Sequence, residues 1–322
     1  MAASSVQGFR AIPLSSIRMD SVTEFDIHIQ TRPGLPPVLY RERRLPVTPV
    51  VIEKLVEQRH HHVYIPAEQE REYRRYITDH IEAILADPGL PLSEKCEVLY
   101  DSAQGLVADI LEDPRSRELM ARSKELVAST VTFMSQEQHA FQYLIQLVSY
   151  DYYTYTHSVN VSIFSIALAQ HLDCFDVAAL RDLGEGTLLH DVGKSMIDPS
   201  ITLHRGPLTD EQWRIMKMHP VYGYEILFDH GLLGPAALDV VRHHHEKLDG
   251  SGYPDGLKGD QISPLVRVST IADIFDAMTT RRCYRGAMKS FDALLEMKEH
   301  LGFQVDQVYF RTFVEMMGNA EA

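Results

Sequence analysis

The stretch Leu188-Leu189-His190-Asp191-Val192-Gly193-Lys194 sets the tightest limit on how this chain can fold. An imidazole and a carboxylate follow directly on the apolar run Thr187-Leu188-Leu189, so both are carried against a core. A polar group removed from water needs a partner, and a charged one needs a countercharge. The fold must therefore bring other groups to this point. An adjacent His and Asp can cap one metal ion and bridge to a second, which makes metal one candidate partner. Gly193 reads as a helix stop in the left-handed conformation that glycine adopts cheaply. Lys194 then sets a compact cation just outside the metal position.

Further histidines and aspartates recur in the same setting. His157 opens an apolar segment, His219 precedes Pro220, and His243-His244-His245-Glu246 closes another segment. Asp273 lies inside Thr270-Ile271-Ala272-Asp273-Ile274-Phe275-Asp276-Ala277, where an unpaired carboxylate is costly. Each residue alone is ordinarily a hydrogen-bonded core residue. Five histidines and two aspartates near helix ends in one region are hard to explain that way. Imidazole and carboxylate donors without thiolate suit iron, manganese, nickel or zinc. An Asp191 bridging two such ions would set a hydroxide for in-line attack on phosphorus. His60-His61-His62 lies between a helix and a strand with no acidic partner nearby, and is read as solvated loop.

The pattern along the chain predicts two kinds of structure. Residues 1 to about 20 show no clear period and are read as an extended arm. Phe25-Asp26-Ile27-His28-Ile29-Gln30 alternates as a half-buried strand does, and Pro33-Gly34 signals a turn. Pro37-Val38-Leu39-Tyr40 can pair back on it, and His62-Val63-Tyr64-Ile65 is a third strand. Thr48-Pro49 is a helix start. This makes a small α+β module. Helices then cover the stretch from Glu68, Leu92 to Leu111, and about Ser116 towards Tyr150. Val159 to Leu172 reads as amphipathic, and Val177 to Leu189 leads into the His-Asp pair. Thr209-Asp210-Glu211-Gln212 matches a capping box. Pro235 to Glu246 and Pro264 to about Arg281 are further helices, and no convincing strand appears beyond residue 150. The expected fold class is mainly α: an all-α domain over 131–322, preceded over 1–130 by a small α+β domain and linking helices.

Composition narrows the function. The formal net charge of −14 disfavours nucleic-acid polymers and anionic lipid as partners. A small anionic substrate would need a local positive site. Cys96, Cys174 and Cys283 are scattered and form no metal or disulfide pattern. No apolar stretch is long enough to span a membrane, and the first ten residues lack a secretory pattern, so a cytoplasmic location is expected.

In order, His157, His190-Asp191-Val192-Gly193-Lys194, His219, His244-His245-Glu246, Asp249-Gly250-Ser251-Gly252-Tyr253-Pro254 and Asp273 resemble the HD-GYP family of the HD phosphohydrolase superfamily. The resemblance covers about residues 135 to 300. The distance to Gly252-Tyr253-Pro254 selects His244 and His245, leaving His243 as a neighbour. The resemblance implies a bacterial signalling enzyme: a cyclic di-GMP phosphodiesterase yielding pGpG, GMP or both through a metal-bridged hydroxide. It implies two or three divalent ions, commonly iron or manganese. The first would take His157, His190, Asp191 and Asp273; the second His219, His244 and His245, sharing Asp191. Three-ion members carry a Glu four residues before the first His; here that position is Tyr153, so two ions are expected, with Glu185 able to substitute only by a different geometry. Asp191 and Lys194 are the implied catalytic residues. Lys194, Tyr253, Asp276, Arg282 and Arg285 are the implied substrate contacts. A homodimer, and signalling partners held through the Gly-Tyr-Pro loop or the first domain, are further expectations. The competing readings are an effector that binds the nucleotide or a protein without turnover, and a phosphodiesterase for another cyclic dinucleotide.

Overall fold

The computed structural model describes residues 8–32, 34–148, 154–204, 206–280 and 287–320. Tyr153, Arg282 and Arg285 lie outside them. The chain divides into two compact units, 1–102 and 103–322.

The first unit is the expected α+β module. β1 (Phe9–Pro13), β6 (His62–Pro66), β3 (Ile27–Ile29) and β4 (Val38–Arg41) form one antiparallel sheet in that order. β2 (Ser21–Val22) and β5 (Pro46–Val47) pair separately. The predicted hairpin is β3 with β4, and the third strand is β6. Helix α1 (Pro49–Glu57) starts with Pro at its first turn, and α2 (Glu70–Leu85) follows β6. Phe25, fully buried, meets Tyr73 and Tyr76 of α2 edge-on at 5.5 Å each. The expected arm is partly wrong, because Phe9 to Pro13 pairs with β6 along five residues. Only Ile12 of that strand is buried, so it carries no alternation to read. His61 and His62 are exposed, as expected of that tract.

Helix α3 (Leu92–Glu112) runs across the division between the units. The second unit is all helix: α4 (Arg117–Gln136), α5 (Ala140–Leu147), α6 (Thr154–Leu172), α7 (Val177–Leu189), α8 (Pro199–Thr202), α9 (Asp210–Met216), α10 (His219–His230), α11 (Pro235–His243), α12 (Pro264–Thr279), α13 (Ser290–His300) and α14 (Gln307–Ala320). The expected long helix from 116 to 150 is broken. Glu137 is extended (φ −105°, ψ 98°), which turns α5 back so that Phe141 packs on Phe164 of α6. The amphipathic reading of Val159 to Leu172 is also corrected. From Thr156 to Ala169 every residue of α6 is buried, so it is a central helix. α7 and α12 pack on it. Phe164, Phe275 and Phe313 join α6, α12 and α14 in one aromatic cluster, with centroids 5.0–6.1 Å apart. Helix starts are set by sequence: Asp176 accepts from Ala179 N–H, Ser263 from Val266 N–H, and Thr209 with Gln212 completes the capping box.

Candidate metal centre

Seven side chains from five helices converge at one end of the second unit. His157 lies in the first turn of α6, His190 caps α7, His219 opens α10, His244 caps α11, and Asp273 sits midway along α12. Asp191 and His245 follow the two caps. All but His245 are at most 5% exposed. Two ligand groups form, His157 with His190 and Asp191, and His219 with His244 and His245.

The hydrogen bonds fix which nitrogens face inward. His190 Nδ1 lies 2.6 Å from Thr187 O, His219 Nδ1 2.8 Å from Met216 O, and His244 Nδ1 2.9 Å from Val241 O. A carbonyl only accepts, so each Nδ1 donates and each Nε2 is left as the basic nitrogen. These nitrogens face each other: His219 and His244 at 3.2 Å, His190 and His157 at 3.3 Å. Burial, before any neighbour, depresses the pKa of His190, and that of His219 and His244 well below the usual range. Burial thus favours the neutral forms of these three, and basic nitrogens facing each other at that distance suit a shared cation.

Two carboxylates join the groups. Asp191 Oδ1 lies 3.2 Å from His219 Nε2, while Oδ2 lies 3.5 Å from His190 Nε2 and 3.8 Å from His157 Nε2. Its Oδ1 is buried without a hydrogen bond among the described residues. Burial opposes its charge, yet Lys194 and His190 hold its carboxyl well below the usual carboxylate range. Asp273 also straddles the groups, with Oδ1 3.0 Å from His157 Nε2 and Oδ2 3.3 Å from His245 Nδ1. Burial opposes its charge too, yet the facing His157 and His245 imidazoles hold its carboxyl well below the usual carboxylate range. Neutral imidazoles, two ionised carboxylates and an unpartnered buried oxygen are what a divalent cation requires. The donor set fits metal.

Gly193 is essential for a reason other than the expected one. It lies in a 3-10 turn, Val192–Met196, and not in the left-handed region. A Cβ there would stand 2.0 Å from His219 O and 2.4 Å from Gly223 N. The glycine lets α10 approach, which brings His219 to Asp191. Lys194, at the same turn, ion-pairs with Asp191 Oδ2.

Asp276 is corrected from a substrate contact to a positioning residue. It is fully buried. Oδ2 accepts from His157 Nδ1 at 2.6 Å and from Thr280 Oγ1 at 3.1 Å; Oδ1 accepts from Asn160 Nδ2 at 2.8 Å. This orients His157 with its Nε2 inward. Asp276 sits one helical turn beyond Asp273, but two of its three partners, His157 and Asn160, lie on α6, far away in sequence. Glu185 is in neither ligand group. Its carboxylate faces Lys124 Nζ at 3.7 Å, and burial, ahead of its neighbours, raises its pKa.

Sequence reasoning missed Glu246 as a working residue. It is fully buried, and its carboxylate accepts from the N–H groups of Asp255 (2.7 Å), Gly256 (2.9 Å) and Leu257 (3.0 Å). The Gly-Tyr-Pro loop is thereby tied to the end of α11. Gly252 packs so closely there that a Cβ would meet Glu246 Cα at 2.5 Å. Tyr253 then stands over His245, centroids 4.7 Å apart. His243 points elsewhere, between Asp239 (2.6 Å) and Asp255 (2.9 Å). Of the candidate ligands, His244, His245 and Asp273 line a cleft of about 720 Å³ whose lining also includes Arg214, Lys217, Lys247, Tyr253 and Trp213. The three cations were not singled out by sequence, since each lies on an ordinary polar helix end or loop.

An all-helical domain with paired histidines around an Asp, entered through a Gly-Tyr-Pro loop, defines a class. The HD domain family model matches residues 124–307, and the chain belongs to that family, with the HD-GYP motif set in place. Over 223 residues it is 35% identical to a cyclic di-GMP phosphodiesterase, PA4108, of Pseudomonas aeruginosa, covering 69% of this chain and 53% of that one. Over 160 residues it is 38% identical to the 3'3'-cGAMP-specific phosphodiesterase 3 of Vibrio cholerae, covering 49% of this chain and 34% of that one. The chain thus spans about half, or less, of these relatives. The structure of Bd1817, an HDG"Y"P protein from Bdellovibrio bacteriovorus, shares the fold, with a TM-score of 0.67 over 96% of this chain and 99% of that one, at 21% identity. Among the described residues no helix is long and apolar enough to cross a membrane.

Proposed function

We propose that this chain is a metal-dependent phosphodiesterase that opens cyclic di-GMP to pGpG, GMP or both. The observation that carries it is the pair of opposed histidine groups joined by Asp191, with His244, His245 and Asp273 lining a cation-bearing cleft in an acidic protein. Two divalent ions, iron or manganese by preference, would be held by His157, His190, Asp191, His219, His244, His245 and Asp273. Bound there, such ions would supply Lewis acidity toward a phosphodiester.

The chain's own residues do the rest. Asp276 keeps the His157 proton on Nδ1, and the three carbonyls do the same for His190, His219 and His244. The inward Nε2 of His157, His190, His219 and His244 is thereby kept as the metal-facing nitrogen. Lys194, resting on Asp191, shifts to a phosphate oxygen and steadies the charge that grows there. Arg214, Lys217 and Lys247 draw the second phosphodiester into the cleft. Arg282 and Arg285 are proposed to assist from the segment after α12. The location is proposed as cytoplasmic.

The 3'3'-cGAMP specificity of the Vibrio cholerae relative favours that dinucleotide as a second substrate, since it presents the same two phosphodiesters. The test is release of linear product by manganese(II)- or iron(II)-loaded protein, with the two cyclic dinucleotides in competition. A higher kcat/KM for cyclic di-GMP supports the first reading; a higher value for 3'3'-cGAMP transfers the assignment to the second. Tight binding of either without product would make the chain an effector.

A further inference from the structure

We propose that Trp213 is the face on which a purine base of the substrate stacks, so that α9 forms the base-binding wall of the cleft. The inference rests on the cyclic dinucleotide reading above and adds a residue to it. Trp213 is the chain's single tryptophan, and it lines the cleft while 46% exposed. Its indole makes no hydrogen bond or ring contact among the described residues. A large aromatic left in water is a surface still able to gain from burial.

The other aromatic of the cleft is already engaged. Tyr253 has His245 at 4.7 Å and the Lys217 ammonium at 5.4 Å from its ring centre. Lys217 lies four residues after Trp213, on the same side of the helical turn. One short segment thus offers a stacking face and, beside it, a cation for the adjoining phosphate. α9 is held in shape locally, by its capping box and by the Glu211–Arg214 ion pair at 2.6 Å, and buries no residue of its own. The capping box and ion pair shape α9 without using the indole, whose exposed part faces the cleft. Stacking uses the π-face that every base has. Trp213 therefore sets affinity for cyclic dinucleotides in general and does not choose between guanine and adenine.

The test uses the metal-loaded full chain and a phosphorothioate analogue of cyclic di-GMP that resists hydrolysis. Tryptophan emission reports position 213 alone. Binding followed by calorimetry should be accompanied by saturable quenching of that emission at the same midpoint. Trp213→Ala should raise Kd about tenfold, while Trp213→Phe stays within a few-fold of wild type. Calorimetric binding with unchanged emission, and equal Kd in Trp213→Ala, would overturn the stacking role and leave the phosphodiesterase reading intact. No binding to the wild-type chain would overturn the substrate reading and this one with it. The emission readout needs no variant and so does not depend on one folding.

Discussion

Asp276 separates metal binding from stability if two variants are compared. Its carboxylate takes three donors: His157 Nδ1, Asn160 Nδ2 and Thr280 Oγ1. In Asp276→Asn one oxygen still accepts from His157 and Thr280, and the new amide can donate to Asn160 once that side chain turns over. The hydrogen-bond count survives, and only the negative charge behind His157 is lost. That charge raises the basicity of the inward Nε2, so metal affinity should fall about 10-fold, the lower end for a partner of this kind. Asp276→Ala removes the acceptor for two buried N–H donors, at about 1–3 kcal/mol each, or roughly 2–6 kcal/mol together. In a unit this size that lowers Tm by on the order of 10 °C. Metal affinity should fall towards about 100-fold. The assay is competition against chelators of graded strength, read by elemental analysis, with calorimetry on the same samples. Asp276→Asn with wild-type metal affinity would refute the argument that this carboxylate orients a metal ligand.

Three more outcomes follow from the same structure. Gly193→Ala drives a Cβ into the backbone of α10 and should cost more than about 2 kcal/mol, read as a lower urea midpoint at constant slope. Glu246→Gln replaces one acceptor oxygen facing the loop by a donor, so proteolytic nicking within 249–258 should rise sharply and KM should increase, while metal content stays the same. In the first unit, burial opposes the charge on Glu70, but Arg74 and Arg10 hold its pKa below the ordinary value of 4.5. A depressed carboxyl stabilises the fold above its unfolded pKa and loses that contribution as pH falls through the folded value. The Tm difference between wild type and Glu70→Gln should therefore be full above about pH 5 and shrink in more acid solution.

The residues that converge were legible in the sequence because metal chemistry limits the residue types, and because the distance to the Gly-Tyr-Pro loop selects His244 and His245. Their protonation was not, since it depends on Thr187, Met216 and Val241, which act through backbone carbonyls at helix ends. Asp276 was misread because spacing along α12 points to Asp273, whereas its partners His157 and Asn160 come from α6. The helices were found through caps and apolar period. Two failures have physical causes. α6 is buried on all sides, so it has no polar face to reveal. β1 buries one residue in five, so it has no alternation. Gly193 was rightly singled out, but the need is a close approach between α10 and the turn, which no local pattern encodes.

The central claim is most directly tested by Asp191→Ala, with metal content and cyclic di-GMP turnover measured on the same purified samples. Asp191 is one of the two carboxylates whose oxygens divide between the histidine groups. The expected result is loss of metal together with loss of product formation. A variant that keeps full metal content, or one that still hydrolyses the substrate at the wild-type rate, would contradict the account.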